Sequence, residues 1–448
     1  MRDITKGNIY KNFLVFAIPM VLAGLLSQMY STIDTIIAGK LIGETGLSAI
    51  GASGPTLMLL SSLLWGAGIG FSIYIAERFG AKDYTAIKKE IFNFYITWSV
   101  FMLLLGTICF VLSKPIMRLI SVDEAILDDA ASYFGIYVFG LVLIVLTNNG
   151  VYIMNAFGIS TFPFLMSVIS AVINILGNIF AIEILNWGVA GVAAATVFSA
   201  AVVDICYIVK LFMCFKEMNV IKEKYQFEPK HIIANARYWV PTMLQQFGMY
   251  ISGMLVSPMV NSLGSDASAS YTVTTRISEF ACSVYQNSSK TLSTYNAQCV
   301  GAGKYNEFKK GLKAGFVQAL LFVLPIILAA AIFPTQLSYL FFPKDYVGKG
   351  VEYSAIFLRY FMPLLVANMI ANLFHSFFRG VAAMKPLVVA TFSGSFAKLL
   401  FCFVLMRFFG MYGFFAGWAS SWLADGLIGY LFYRNGGWYE TLMTRVKK

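Results

Sequence analysis

Charge is scarce in this chain. Only 12% of its 448 residues are Asp, Glu, Lys or Arg and 58% are hydrophobic, where a soluble domain carries about 25% charged residues. So little charge cannot keep a globule of this size in water. That excludes a cytosolic enzyme, a disordered chain and a secreted scaffold, and it places the chain in a bilayer. Histidine is nearly absent, with His231 and His375 alone, so no histidine-based metal centre is expected. The six cysteines (Cys109, Cys206, Cys214, Cys282, Cys299, Cys402) lie in or at the ends of apolar runs without CxxC spacing. They read as small buried hydrophobes, neither a disulfide framework nor a zinc site. Also missing are a nucleophile elbow, an HExxH helix and a P-loop; Gly303-Lys304 is followed by Tyr305 and has Gln298 where a P-loop's first glycine belongs. Without a nucleotide site, a catalytic cluster or a cofactor motif, the expectation is no enzyme and no cofactor. Work is then drawn from an ion gradient.

What is present is apolar sequence in lengths that cross a membrane. A window of roughly 20 apolar residues marks twelve spans, near 12–38, 47–77, 91–113, 131–157, 162–184, 188–214, 237–263, 271–300, 312–333, 350–378, 385–408 and 412–434. The longest polar stretch, 215–236, separates an N-lobe (1–214) from a C-lobe (237–448). The net charge of +11 is explained by placement, with no need for nucleic acid. With the N-terminus inside, the cytoplasmic segments hold 23 Lys or Arg and the opposite side 7. This bias sets both termini in the cytoplasm of a multi-pass plasma-membrane protein. Lys290, Arg359 and Lys398 fall inside spans.

The two halves repeat. At a shift of 221 residues, Gly80-Ala81-Lys82-Asp83-Tyr84 and Lys88-Lys89 fall on Gly301-Ala302-Gly303-Lys304-Tyr305 and Lys309-Lys310, and Ile18-Pro19 meets Val240-Pro241 with a one-residue gap. Six helices per half is an even number, so both lobes share one orientation and a pseudo-twofold axis along the membrane normal relates them. Substrate sites in such proteins lie at the repeat interface. The fold expected is therefore all-α and integral to the membrane, and the function is secondary transport.

Polar groups inside spans are costly and become functional candidates. Asp34 lies two-thirds along a span interrupted by Pro19, a residue that frees a carbonyl and permits a bend; the alternative is a polar helix end at the outer interface. Asn174 and Asn178 are one turn apart on span 5, and Thr196 sits in a small-residue run of span 6. Gln28, Asn148, Asn149, Asn155, Gln245, Gln246, Asn368 and Asn372 are expected to line a central substrate cavity, although interhelical hydrogen bonding explains any one of them equally well. Asp204 and Asp425, again 221 apart, read as interfacial groups near the cytoplasmic ends. The 40 Phe and 24 Tyr serve lipid contact and, in part, stacking on flat cations.

Together these residues resemble the multidrug and toxic compound extrusion (MATE) family of the multidrug/oligosaccharidyl-lipid/polysaccharide flippase superfamily, over essentially the whole length. The likeness rests on the twelve spans in two lobes, Pro19 with Asp34-Thr35 and Gly39, the paired Gly-Ala-x-x-Tyr loops, Asn174-x-x-x-Asn178, and Ala193-Ala194-Ala195-Thr196. A lone first-span acid with none in span 7 is similar to the DinF branch. The resemblance implies an antiporter that exports amphipathic or cationic drugs or metabolites in exchange for H⁺ or Na⁺, and a monomer is the expectation. It maps a cation site onto Asp34, Asn174, Asn178 and Thr196, with Pro19 as hinge and no transition metal. Many relatives carry aspartate where Asn178 stands here. The site thus has one fewer negative charge, which favours H⁺ at Asp34 over Na⁺. The alternative within the same superfamily is a flippase for lipid-linked oligosaccharide or cell-envelope precursors, a reading to which Lys290 and Lys398 lend weight.

Overall fold

Backbone N–H and C=O groups at membrane depth must be satisfied within their own segment, so apolar runs of this length become helices. The computed structural model describes residues 1–222, 227–228, 230–343 and 346–446; of the expected linker 215–236, positions 223–226 and 229 lie outside the described residues. Every regular element among the described residues is helical. The membrane-length helices are α1 (Ile9–Leu41), α2 (Glu44–Gly80), α3 (Tyr84–Val111), α4 (Leu127–Phe139 and Leu141–Ala156, bent by 48°), α5 (Thr161–Ile184) and α6 (Gly188–Glu217). The second half supplies α7 (Ala236–Asn261), α8 (Ser265–Gly301), α9 (Phe308–Ile332) and α10 (Gly350–Gly380). Met384–Asn435 is one continuous stretch broken at Gly410, whose φ of 56° and ψ of −132° leave the helical range, so it divides into α11 (384–409) and α12 (411–435).

By length and apolarity alone, eight helices of the described residues qualify as spans, and nine when bent α4 counts as one. The division at Gly410 adds another. The remaining two, α7 and α8, are long enough but too polar for the same test. In α8 many of the polar groups are hydroxyls, and such side chains can return their hydrogen bonds to the helix itself: Thr272 and Thr274 donate to the carbonyls of Ser268 (3.0 Å) and Ser270 (2.9 Å). One boundary differs clearly from expectation. α3 starts at Tyr84 rather than near 91, because Asp83 caps it: Asp83 Oδ1 accepts the Ala86 N–H at 3.2 Å, and Arg78 holds the same carboxylate at 3.3 Å.

The repeat reappears in the backbone. Positive φ occurs at Gly43 and Gly264, which precede α2 and α8, and at Lys82 and Gly303, which follow them; each pair is 221 residues apart. Asn186 and Gly410, and Gly158 and Ala382, are likewise paired at 224. Lys82 takes the left-handed conformation that its counterpart meets with glycine, so the turn is kept where residue identity is not. α4 bends at Gly140, and the equivalent point of α10 holds a single 3₁₀ turn, Met362–Leu364.

The chain packs as two units. Unit 1 comprises Met1–Asp3 and Leu22–Met243, and unit 2 comprises Ile4–Val21 and Leu244–Lys448. α1 and α7 are each divided between the units, two residues after Pro19 and after Pro241. A proline cannot donate to the carbonyl four residues back, so both helices lose a bond beside the division.

The segment between α6 and α7 is no free linker where it is described. Lys88, only 2% exposed, donates from Nζ to the carbonyls of Val220 (2.6 Å) and Ile221 (2.9 Å). Lys89 pairs with Glu228 at 2.5 Å, Asn93 accepts the Glu228 N–H at 2.7 Å, and the Glu90 carboxylate takes His231 Nδ1 and Asn235 Nδ2, each at 2.7 Å. One stretch of α3 thus clamps this segment inside unit 1. Lys88→Met takes the donor from the buried Val220 carbonyl and from the partly buried Ile221 carbonyl, and hydrogen bonds from charged donors contribute about 2 kcal/mol each. The expected result is a lower thermal unfolding midpoint in detergent, whereas Lys89→Met, at a partly exposed pair, lowers it less.

Candidate functional site

In unit 1 the second part of α1 carries Tyr30 and Asp34 one turn apart, so both side chains fall on one face. α5 brings Asn174 and Asn178 to the same place, and both are fully buried. α6 adds Thr196, and α4 adds Tyr133 and Tyr137, one turn apart with ring centroids 6.1 Å apart. The sequence-derived cation set is brought together as a single hydrogen-bonded chain. Thr196 Oγ1 donates to the Val192 carbonyl at 3.0 Å and accepts Asn174 Nδ2 at 3.0 Å. Asn174 Oδ1 accepts Asn178 Nδ2 at 2.9 Å, and Asn178 Nδ2 also donates to Asp34 Oδ1. Tyr30, Tyr133 and Tyr137 also lie within electrostatic range of the carboxyl group.

The chemistry of this cluster follows from its donors and acceptors. Asp34 is its only carboxylate, and ionised it can only accept. Asn178 Oδ1 is buried with no hydrogen-bond partner, an acceptor left waiting for a donor. A proton on Asp34, or a cation beside it, supplies what that oxygen lacks. Among the described residues no three His, Cys, Asp or Glu side chains converge as a metal site.

Asp204 is not interfacial. It is 6% exposed, accepts Thr147 Oγ1 at 2.7 Å through Oδ1, and leaves Oδ2 without a partner. Its counterpart Asp425 belongs to a second network, in unit 2. Asp425 Oδ1 lies 2.8 Å from His375 Nε2, which lies 3.4 Å from Thr391 Oγ1. Thr391 accepts Gln245 Nε2 at 3.1 Å, and Gln245 Oε1 accepts Arg379 Nη2 at 3.0 Å. The sequence reading missed His375, Thr391 and Arg379 as partners. Arg379 lies one residue beyond the expected end of span 10 and was counted with the cytoplasmic loops.

The expected cavity residues divide by environment. Gln28, Asn148, Gln246, Asn368 and Asn372 are partly accessible. Asn148 nevertheless returns its amide to the Ile144 carbonyl at 2.8 Å, and Asn368 accepts Tyr285 (2.6 Å) and Asn372 (2.8 Å). Asn149, Asn155 and Gln245 are buried. Asn149 sits against Gly68 so closely that a Cβ there would meet its Oδ1 at 2.2 Å, so it joins α4 to α2 inside unit 1.

Comparison with known proteins agrees with the repeat. A family model described as MatE matches residues 19–180 and again 241–404. The chain is 24% identical over 444 residues to the "probable multidrug resistance protein" YpnP of Bacillus subtilis, covering 97% of each chain. It is 25% identical over 285 residues to the multidrug export protein MepA of Staphylococcus saprophyticus, covering 61% of each. Its fold superposes on the solved MATE transporter VcmN of Vibrio cholerae with a TM-score of 0.89 at 19% identity, over 97% of this chain and 98% of that one.

Proposed function

Because this chain belongs to the MatE family, whose members are membrane transporters rather than enzymes, we propose that it is a secondary multidrug exporter of the plasma membrane that expels amphipathic or cationic organic compounds in exchange for protons. The observation that carries the coupling is the Asp34 cluster: one carboxylate, linked through Asn178 and Asn174 to Thr196, beside an amide oxygen that lacks a donor. The names of YpnP and MepA, resistance and export of many drugs, support the direction and breadth of transport.

In this reading the ionised Asp34 accepts the Asn178 amide and balances a positively charged or polarisable substrate. Protonation turns the carboxyl into a donor, which satisfies Asn178 Oδ1 and removes the charge that held the substrate. α1 is already weakened at Pro19, where it passes from one unit to the other, so its two parts can reorient at that point with little loss of hydrogen bonding. Gln28 and Asn148, both partly accessible in unit 1, and Gln246, Asn368 and Asn372 in unit 2 are the substrate contacts proposed; Pro19 is the hinge. Proton and substrate must each prefer a different state, or the gradient drives nothing. The protein acts as a monomer with both termini in the cytoplasm.

The test is transport of ethidium by the purified full-length protein in liposomes, with an imposed proton gradient in one arm and an imposed sodium gradient in the other. The expected result is dye movement with the proton gradient and none with sodium alone. Failure of well-folded protein to move ethidium, and then a panel of chemically unlike dyes, under either gradient overturns the reading.

A further inference from the structure

Unit 1 holds a second carboxylate inside its spans, Asp204, which the proposed function leaves without a task. α4 and α6 approach closely around it: a Cβ at Gly150 would meet the Tyr207 ring at 2.6 Å, and one at Gly140 would overlap Val197. Thr147 lies between those glycines and faces Asp204. A threonine hydroxyl has one proton to give. Thr147 gives it to Asp204 Oδ1 at 2.7 Å, with the Ala200 carbonyl farther off at 3.4 Å. Asp204 Oδ2 has no partner, and the residue is 6% exposed. An ionised carboxylate buried against one neutral hydroxyl is costly. A proton on Oδ2 removes that charge, whereas a hard cation takes several oxygen ligands at once.

The surroundings supply no counter-charge. Among the described residues no Lys or Arg pairs with Asp204. Tyr95 of α3 and Tyr207 of α6 itself lie within electrostatic range. The other tyrosines of α4 lie elsewhere, Tyr133 and Tyr137 near Asp34 and Tyr152 against Gly68. α5, which packs along α6, has only Glu183, in its last turn. The titratable groups in the last turns of α2 are engaged there, Arg78 with Tyr74 and Asp83, and Glu77 with Tyr238.

Asp204 is also placed to continue the Asp34 chain. That chain ends at Thr196 of α6, and Asp204 follows eight positions later, about 12 Å along the helix axis. Ser199, between them and 3% exposed, donates to the Thr196 carbonyl at 2.9 Å. Past this point, between Thr147 and the end of α4 at Ala156, Asn149 Nδ2 and Asn155 Oδ1 are buried without partners. Buried polar atoms of this kind are where proteins hold ordered water. With the N-terminus in the cytoplasm, as proposed, α4 and α6 both run towards the cytoplasm beyond Asp204.

We infer that Asp204 is a second proton-binding site of unit 1, the station through which the coupling proton passes from Asp34 to the cytoplasm. The inference deepens the proposed function and rests on it for the direction of the proton; the site itself stands on the geometry of α4 and α6. Charge is conserved at each transfer. Asp34 ionises as its proton passes to water, and water delivers a proton to Asp204 Oδ2. Asp204 becomes a neutral carboxyl whose Oδ1 keeps the Thr147 bond. It returns to the carboxylate by giving the proton to water at the cytoplasmic end. The amides of Asn174 and Asn178 hold the chain in place and carry no proton themselves.

The experiment has two readouts on the purified full-length protein. The first is infrared difference spectroscopy as the pH is lowered, in which each carboxylate that takes up a proton adds a carboxyl C=O component. One component is expected to vanish in Asp204→Asn and to remain in Asp34→Asn. Thr147→Val keeps that component but moves it to higher frequency, because the C=O has lost its hydrogen bond. The second readout is ethidium transport in liposomes under a proton gradient. Asp204→Asn keeps an oxygen for Thr147 and is expected to fold, yet driven transport falls by about tenfold or more once the positioned proton carrier is gone. Asp204→Glu restores it, which separates the carboxyl from the packing. If Asp204→Asn loses no infrared component, Asp204 binds no proton and the inference fails. If the component is lost but driven transport is unchanged, the proton at Asp204 is not on the path, and the inference fails again. An unaltered protein that moves no dye under any gradient removes the exporter and the path with it, while the infrared component still decides the proton site.

Discussion

Asp34→Asn yields a folded protein whose gradient-driven ethidium transport falls to the level of empty liposomes. The substitution keeps the shape of the side chain and an oxygen that can accept the Asn178 amide, so the cluster on α5 and α6 has little reason to rearrange. What it removes is the capacity to exist in two charge states. A site with one charge state cannot distinguish the two sides of a proton gradient, and substrate and proton lose their linkage. Dye exchange at equilibrium, with no gradient imposed, is expected to persist. That second measurement separates loss of coupling from loss of the binding site: if exchange also vanishes, Asp34 is needed to bind dye and not to couple. If driven transport survives, the proton is carried elsewhere, and Asp204, buried with one free oxygen, is the next carboxylate to alter.

Asn178→Asp is expected to change the coupling ion. Position 178 is fully buried, one turn from Asn174 and bonded to Asp34. A second carboxylate there cannot ionise beside the first without a cation between them. Hard cations take oxygen ligands, and this variant offers both carboxylates, Asn174 Oδ1 and the Thr196 hydroxyl. Sodium chloride should then raise the thermal unfolding midpoint of the variant where potassium chloride does not, because only an ion that binds the folded state stabilises it. Dye transport in the variant should respond to an imposed sodium gradient, to which the unaltered protein is expected to be indifferent. A variant with no sodium effect on either readout means that the four groups do not share one cation position.

How far the sequence alone reaches depends on the kind of contact. The Asp34 cluster was legible because each member obeys a local rule: an acid inside an apolar run, two amides at helical spacing, a hydroxyl in a small-residue stretch. The repeat was legible for the same reason, and it extends to backbone turns at Lys82 and Gly303 where the residues differ. Tyr133 and Tyr137 were not legible as partners of Asp34. In a chain that is 16% aromatic, two tyrosines one turn apart give no contrast. The clamp of Lys88, Lys89 and Glu90 on 220–235 was hidden differently. A polar stretch rich in Lys and Glu reads as solvated, and its partners lie more than 130 residues away on α3. Asp204 and Arg379 were misplaced because span ends carry an uncertainty of several residues. Near a membrane surface that uncertainty decides between a charge in water and a charge in the protein.

The division of α1 and α7 between the units bears on the ancestry of the molecule. A chain that doubled an ancestral six-helix protein inherits two copies of one leading helix, and here each copy supplies its opening turns to the unit built mainly from the other copy. A gene cut at position 215 therefore encodes two fragments, neither of which holds a complete packing unit. The first carries residues 4–21, which belong with the second fragment, and the second carries residues 215–243, which belong with the first. Fission at that point is tolerable only where the fragments are made together and trade their leading segments.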